Sequence, residues 1–395
     1  MTKTVLFAWE LGLGLGHLMN MHRIARRLAR HDCRTILASS KVTAALALQG
    51  PFDEIIQAPK WPLDTLPEER RLILSSATLN DILSGAGLAD RIAVEGLLRS
   101  WLEIFKSQRP ALVIADFAPL AAFAAKGRIP LALIGSGYTL PPAELPRFPP
   151  LHRRSPPIWK EKETLDAVNA AASKLNLTPL DRLPQIFSGD AGFVQTFALL
   201  DPYDTQRVEA VSGPLIDRVP EVRQEGATSI FAYLSGGYEP HPSIFEALRP
   251  FAQHLRVHAP RLPASALEEL SRAGARIDAE AVPLAEILPS TRLILHHGGS
   301  GAAAEALVSG VPQLILSAQV EQDLNGEALQ RAGVARLVRT YEPETKLSRE
   351  LVEDIRADRA MTLRAAKLGS WHRQELATMD PLSTCERECL RLMGR

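Results

Sequence analysis

The stretch Leu293–Asn325, LILHHGGSGAAAEALVSGVPQLILSAQVEQDLN, decides how the chain is read, because a strand, a glycine turn, a helix and a second strand follow one another without interruption. Leu293-Ile294-Leu295 is short, apolar and β-prone, His296–Gly301 supplies a turn, and Ala302–Leu307 is rich in helix formers. A glycine-rich loop that opens a helix presents backbone N–H groups with no intrahelical partner, and the helix dipole adds about half a positive charge at that end. Such a turn suits a diphosphate. Glu305, one helical turn beyond Gly301, is placed to accept from neutral hydroxyls beside the phosphate, such as those of a ribose. Gly310-Val311-Pro312 stops the helix and starts the strand Gln313–Leu316. Glu321-Gln322 then fall at the carboxyl end of that strand, where α/β folds hold their ligands.

With 395 residues the chain exceeds one ordinary core and fits two domains. Its 46% hydrophobic and 23% charged residues describe a globular protein. Forty-five basic residues balance forty-five acidic ones, so no net field draws nucleic acid or an anionic membrane. Arg23, Arg26, Arg27 and Arg30 recur at helical spacing and read as a solvated helix face. The charge-free apolar run Phe117–Ala125 is far short of the roughly twenty residues a membrane span needs, so no transmembrane helix is expected. The N-terminus runs straight into VLFAW without the features of a secretory signal, and three cysteines fit a reducing, cytoplasmic setting. Cys385 and Cys389, one helical turn apart, lack nearby histidine partners and read as surface or core residues rather than metal ligands.

Outward from the opening stretch, apolar β-rich pieces alternate with helical patterns: Val5–Trp9, a helix from about Leu18 to Arg30, Arg34–Ala38, Leu112–Ala115 and Leu131–Ile134. This βαβ rhythm predicts a parallel sheet covered by helices. It breaks in the Gly, Pro and charge-rich segment Ser212–Gly226 and resumes with Ser229–Leu234, Leu255–His258, Ala275–Ile277, Leu293–Leu295 and Gln313–Leu316. The fold class is therefore α/β, with two Rossmann-like domains expected to face each other across a cleft. The domains are placed at residues 1–215 and 226–375, with a terminal segment 376–395. Seven prolines between Pro141 and Pro157 predict a shaped surface loop of the kind that walls a binding site.

Several groups along the chain have the chemistry for a site. Gly12-Leu13-Gly14-Leu15-Gly16-His17 follows the first strand, yet the second strand ends in Ala38-Ser39-Ser40 without the acidic residue that a nicotinamide dinucleotide needs. His17, whose imidazole has a pKa of about 6.5, suits a general base, and an isolated histidine at a helix start is also an ordinary surface residue. Asp116 ends a strand of the same sheet and can orient and stabilise that imidazole, cap the following helix, or both. Ser235-Gly236-Gly237 ends the first strand of the second half and offers either a phosphate contact or a plain turn. His297 precedes the glycines and is placed to donate to a phosphate oxygen. His296 and His297 do not make a metal pair, because adjacent strand residues point to opposite faces.

The pattern His297-Gly298-Gly299-Ser300-Gly301, Glu305, Gly310-Val311-Pro312 and Glu321-Gln322 resembles the donor-binding signature of the GT-B family-1 glycosyltransferases, the UDP-glycosyltransferase group that includes flavonoid and macrolide glycosyltransferases. Gly16-His17 is similar to the family's N-terminal Gly-His element, Pro110–Asp116 to its strand ending in the partner aspartate, and Gly213-Pro214 to its interdomain junction. The resemblance implies a GT-B fold. It implies that Gly16, Ser235, Gly236, Gly237, Val282, His297, Ser300 and the N–H groups of Gly298, Gly299 and Gly301 bind the donor, that Glu305 holds the ribose, and that Glu321 and Gln322 read sugar hydroxyls. His17 and Asp116 would be base and orienter. The terminal segment Ser370–Met393 would be helical and pack back on the N-terminal domain. The chain departs from the pattern at Ala281, where many relatives carry a tryptophan that stacks on the base, at Gly301-Ala302, at Asn20 and at Ser317, which points to a bacterial-type member.

The expected activity is an inverting, metal-independent transfer of a sugar from a UDP- or TDP-sugar to a hydroxyl of a small, fairly apolar acceptor, with no cofactor and no nucleic-acid partner. Trp61, Phe117, Tyr138, Phe148 and Trp159 are candidate acceptor contacts, although residues of this kind more often serve ordinary packing. Three rivals stay open: related GT-B chemistry such as lipid-linked glycosylation or sugar-nucleotide epimerisation, a silent nucleotide-sugar-binding partner, and a serine hydrolase, since Gly298–Ala302 nearly matches the G-x-S-x-G elbow.

Overall fold

The computed structural model describes residues 2–12, 14–48, 50–62, 76–234, 243–342 and 347–394. Ser235, Gly236 and Gly237 lie outside the described residues. The chain divides into two compact units, one made of residues 1–195, 201–213 and 380–395 and the other of residues 196–200 and 214–379.

The first unit holds a parallel sheet of β1 (Lys3–Trp9), β2 (Cys33–Ser39), β3 (Glu54–Gln57), β4 (Leu112–Asp116), β5 (Leu131–Gly135) and β6 (Ala191–Val194), in the order β3-β2-β1-β4-β5-β6. The strands β1, β4 and β5 read as continuous apolar runs because helices cover both faces of a parallel sheet, and their central residues are fully buried. β1 and β4 run side by side so that Trp9 pairs with Asp116, the last residue of each. The sheet order reverses direction at this point, and their connections diverge.

The second unit repeats the plan with β7 (Ser229–Tyr233), β8 (Leu255–His258), β9 (Arg276–Ile277), β10 (Thr291–His296), β11 (Gln313–Ser317) and β12 (Ala335–Arg339), in the order β12-β11-β10-β7-β8-β9. Its switch point lies between β7 and β10, where Tyr233 pairs with His296. The Ser300–Ser309 helix, which follows β10, packs closely on the Arg359–Met379 helix, and a Cβ on Gly369 would meet the Leu307 carbonyl at 2.6 Å. Glycine at this crossing is what allows the two backbones to approach.

The expected single terminal helix is instead two. Asp380 takes a left-handed conformation (φ 41°) and Pro381, which cannot continue the ladder, opens a new helix, Pro381–Leu392. The first helix, ending at Met379, belongs to the second unit, and residues 380–395 belong to the first. There Glu386 meets His31 at 2.7 Å and Arg27 at 3.4 Å, while Lys3 Nζ donates to the Met393 carbonyl. Cys385 and Cys389 are buried in this helix. Among the described residues, no helix is long and apolar enough to cross a membrane, and no three His, Cys, Asp or Glu residues cluster as a metal site.

Directly after β1 sits Glu10, a fully buried acid. The Trp101 indole and the Leu120 N–H (3.0 Å) donate to its carboxylate, and burial pushes its pKa up to about 7. From the ordinary value of 4.5 up to about 7, the unfolded chain has released this proton while the folded chain keeps it. Glu10 therefore contributes stability that is present below that window and lost as pH rises through it. Glu10→Gln is expected to flatten the pH dependence of unfolding by up to about 3 kcal/mol across the window, since one pKa unit is about 1.4 kcal/mol. Urea unfolding of both proteins from pH 5 to 8 measures this, and parallel curves would refute it.

Candidate active site

In the first unit the loop after β1 bends at Gly12 (φ 104°) and Gly14 (φ 80°) and delivers His17 on the first turn of the Gly16–Leu28 helix. Gly16 is exposed, with open space where a side chain would project. His17 Nδ1 lies 2.8 Å from Asp116 Oδ1; the His17 side chain is 15% exposed and that of Asp116 1%. Because the carboxylate holds a proton on Nδ1, neutral His17 carries its lone pair on Nε2, as a general base must. The imidazole also leans over Gly12: a Cβ there would come within 2.5 Å of Nε2. The rings of Trp9 and Phe117 lie nearly parallel to it, at 5.6 and 6.3 Å between centroids.

The aromatic candidates separate into groups. Phe117 faces His17, and Tyr138 lies 6.5 Å from Phe117, so these two join the His17 surroundings. Trp61 is buried against the Glu10 carboxyl. Phe148 makes an edge-on core contact with Phe187. Trp159 serves as an anchor for the proline-rich loop: its N–H and that of Ile158 donate to Asp81 Oδ1 at 2.8 Å, while its carbonyl accepts from Asn80 at 3.0 Å.

In the second unit β10 delivers His296, His297 and the glycine turn. Gly299 is the N-cap of the Ser300–Ser309 helix and, being glycine, offers no capping side chain, so among the described residues the first N–H groups of the helix remain for a ligand. Among the described residues, leaving aside chain neighbours and the helix's own backbone, nothing lies within 4 Å of a Cβ built on Gly299 or Gly301. Gly298 plays a different part. Its φ of 85° and a Cβ position 2.7 Å from Ile315 Cγ2 and 3.0 Å from the Gln322 carbonyl admit only glycine, and its N–H donates to His296 Nδ1 at 3.1 Å. The expectation that Gly298 offers its N–H to the diphosphate is corrected accordingly: that hydrogen is used inside the loop.

His297 Nδ1 donates to the Leu316 carbonyl at 3.1 Å, and burial lowers its pKa. Neutral His297 therefore presents a lone pair at Nε2, and donating to a phosphate oxygen requires that it take up a proton. The Ser300 hydroxyl donates to Glu321 Oε1 at 3.0 Å and accepts from Asn325 Nδ2 at 3.2 Å. Gln322 Oε1 accepts the Ala318 N–H at 2.7 Å, which leaves its amide nitrogen as the group able to meet a ligand. Glu305 is half-buried on the same helix, five residues on from Ser300. Val282 packs with Tyr233 and Ala302 on the core beside the switch point.

Three residues escaped the sequence reading. Asn325, whose Nδ2 also donates to the Gly298 carbonyl at 2.9 Å, sits one turn beyond Glu321 on the Val320–Arg331 helix, a spacing that signals a shared face. Glu10 and Gln313 carried no signal, since their partners, Trp101, Leu120 and His296, meet them only in the fold.

Residues 258–381 match the model of the erythromycin biosynthesis protein CIII-like C-terminal domain. The chain is 36% identical over 99 residues to the O-mycaminosyltylonolide 6-deoxyallosyltransferase of Streptomyces fradiae, covering 23% of each protein. Curated relatives of this kind are matched over only 12 to 23% of their own length. Over the whole chain, the structure superposes on CalG4, the calicheamicin glycosyltransferase, with a TM-score of 0.69, 17% identity and coverage of 100% of this chain and 99% of the other. It superposes on the glycosyltransferase VinC, solved in complex with dTDP, with a TM-score of 0.64, 16% identity and coverage of 99% and 100%. The chain therefore has the α/β two-domain GT-B fold of these solved glycosyltransferases, and its residues 258–381 match the erythromycin biosynthesis protein CIII-like C-terminal domain.

Proposed function

We propose that the protein is an inverting, metal-independent glycosyltransferase that moves a sugar from a UDP- or TDP-sugar to a hydroxyl of a small, fairly apolar natural-product acceptor. The observation that carries the reading is the buried Asp116 carboxylate 2.8 Å from His17 Nδ1, which directs the imidazole lone pair to Nε2. His17 Nε2 removes the acceptor hydroxyl proton as that oxygen bonds to the anomeric carbon from the face opposite the leaving group. The bond from the anomeric carbon to the diphosphate oxygen breaks, and its electron pair leaves with the diphosphate. The N–H groups at Gly299, Ser300 and Gly301, which meet no acceptor among the described residues, are the donors assigned to the developing charge. Hydrogen bonds to a charged acceptor contribute about 1.5–3 kcal/mol each, against about 0.3–1 kcal/mol for the helix dipole, so the N–H groups carry most of the stabilisation a cation would otherwise provide.

The solved complex of VinC with dTDP and the named transferases among the relatives support this reading over a silent binding partner, which has no use for a base. The serine-hydrolase alternative loses ground because the Ser300 hydroxyl is engaged by Glu321 and Asn325 instead of an imidazole.

His17→Ala is expected to lower kcat by about 10²–10⁴-fold, the usual worth of a positioned base, while calorimetry shows nearly unchanged UDP or TDP affinity. Full activity in that variant would overturn the base assignment. For the donor side, Gly298→Ala should destabilise the fold by about 1–3 kcal/mol through strain and overpacking. Gly299→Ala, with φ −61° and open space beside it, should melt like the native protein but bind the nucleotide about tenfold more weakly. Equal melting temperatures for the two variants would contradict the packing difference, and native-like nucleotide affinity in Gly299→Ala would move the diphosphate elsewhere.

A further inference from the structure

His296 and Gln313 take no part in the chemistry described above, yet both are buried, and His296 contacts the glycine turn while Gln313 contacts His296. Gln313, the first residue of β11, donates from Nε2 to the Ala303 carbonyl at 3.3 Å, which fixes the orientation of its amide and turns Oε1 toward His296 Nε2, 2.9 Å away. That oxygen can only accept, so the imidazole carries its proton on Nε2. The lone pair is then on Nδ1, where the Gly298 N–H donates at 3.1 Å. Asn325 Nδ2 grips the other side of the same residue through the Gly298 carbonyl at 2.9 Å. Gly298 is thus held at both its N–H and its C=O while in the left-handed region, and Gly299, the next residue, is exposed.

We infer that His296 and Gln313 form a relay of positioning residues that locks the Gly298 peptide, so that the N–H groups of Gly299, Ser300 and Gly301 are preorganised for a nucleoside diphosphate. The proposal rests on the donor-site reading above and adds the device that shapes the site. Burial pushes the pKa of His296 down to about 4, so the relay keeps one tautomer throughout the physiological range. Without the acceptor at Nδ1, a buried Gly298 N–H is left unpaired, and the turn must move to rehydrate it. His296→Asn retains an acceptor near the Nδ1 position, His296→Phe keeps the ring volume without one, and Gln313→Leu removes the group that selects the tautomer.

The test uses the full-length protein in two parallel measurements. In the ligand-free state, ¹H–¹⁵N spectra of the histidine side chains should show His296 protonated at Nε2 only, and the Gly298 amide should exchange slowly. That protection should be lost in His296→Phe and regained in His296→Asn. With UDP and TDP as calorimetric probes, His296→Phe and Gln313→Leu should bind about ten- to a hundredfold more weakly, as loss of a supporting partner does elsewhere, and His296→Asn should recover most of the affinity. The donor KM should rise with the acceptor KM unchanged, a split that a general loss of folding would not produce. An Nδ1–H tautomer, a fast-exchanging Gly298 amide in the native protein, or equal affinities in the Asn and Phe variants would overturn the relay. A native protein with the expected tautomer and protected amide that binds neither nucleotide would instead overturn the donor reading while supporting the relay.

Discussion

Parallel strands β1 and β4 end side by side at Trp9 and Asp116, and β7 and β10 do the same at Tyr233 and His296. Because parallel strands need crossover connections, and these keep one hand, the chain must leave such a pair toward opposite faces of the sheet. A gap opens at that edge, and only loops at strand ends reach it. In the first unit the gap receives His17 and Asp116, and in the second it receives the glycine turn and Glu321. Each candidate group owes its place to this divergence and not to any local preference of its own segment.

Within these edges the decisive chemistry is the choice of tautomer. Three histidines are each held by a different second partner. A carboxylate takes the Nδ1 proton of His17, a backbone carbonyl takes that of His297, and a side-chain amide takes the Nε2 proton of His296. The carboxylate favours a protonated ring, which helps a base that must gain a proton during the reaction. For His296 burial outweighs the Gln313 amide, which taken alone favours the protonated ring, so the imidazole stays neutral and serves the backbone. His297 lies between these cases: burial keeps it neutral, and an arriving anion would offset that cost. Burial and partner together sort one residue type into three roles.

How much of this was legible depended on whether a residue's partner was local. The central strands announced themselves: Leu255–His258 ends as the pattern predicts, and β1, β4, β5, β10 and β11 lie within two residues of their expected bounds. The strands that went unread, Glu54–Gln57, Ala191–Val194 and Ala335–Arg339, are all at sheet edges, where one side lacks a neighbour and polar or small residues replace the apolar run. Asp116 was readable because it ends a strong strand, and His17 and the glycine turn because each lies in the segment that follows one. Glu10, Gln313 and Asn325 were not, since a buried polar side chain has no sequence signature until the fold supplies what it bonds. The helix break at Asp380 was hidden by the strong helical pattern on both sides, although Pro381 carries the reason for it.

Glu10 shows how such a hidden residue can matter to the visible ones. Phe117, immediately after Asp116, has a φ of 42°, a conformation that costs a side chain-bearing residue about 1–3 kcal/mol. The segment is pinned by the Leu11 N–H, which donates to the Phe117 carbonyl at 3.1 Å, and by the Glu10 carboxyl, which accepts from Leu120 at 3.0 Å. Trp9 in turn holds the Leu11 carbonyl with its indole N–H at 2.6 Å. Net contributions of about 1 kcal/mol per hydrogen bond are enough to offset that strain. The three consecutive residues Trp9, Glu10 and Leu11 thereby clamp the turn that carries Asp116, and the same Trp9 ring lies against His17. Dyad geometry is therefore set from the end of β1, by residues that need touch no substrate, and the burial of an acid there is the cost of holding the carboxylate still.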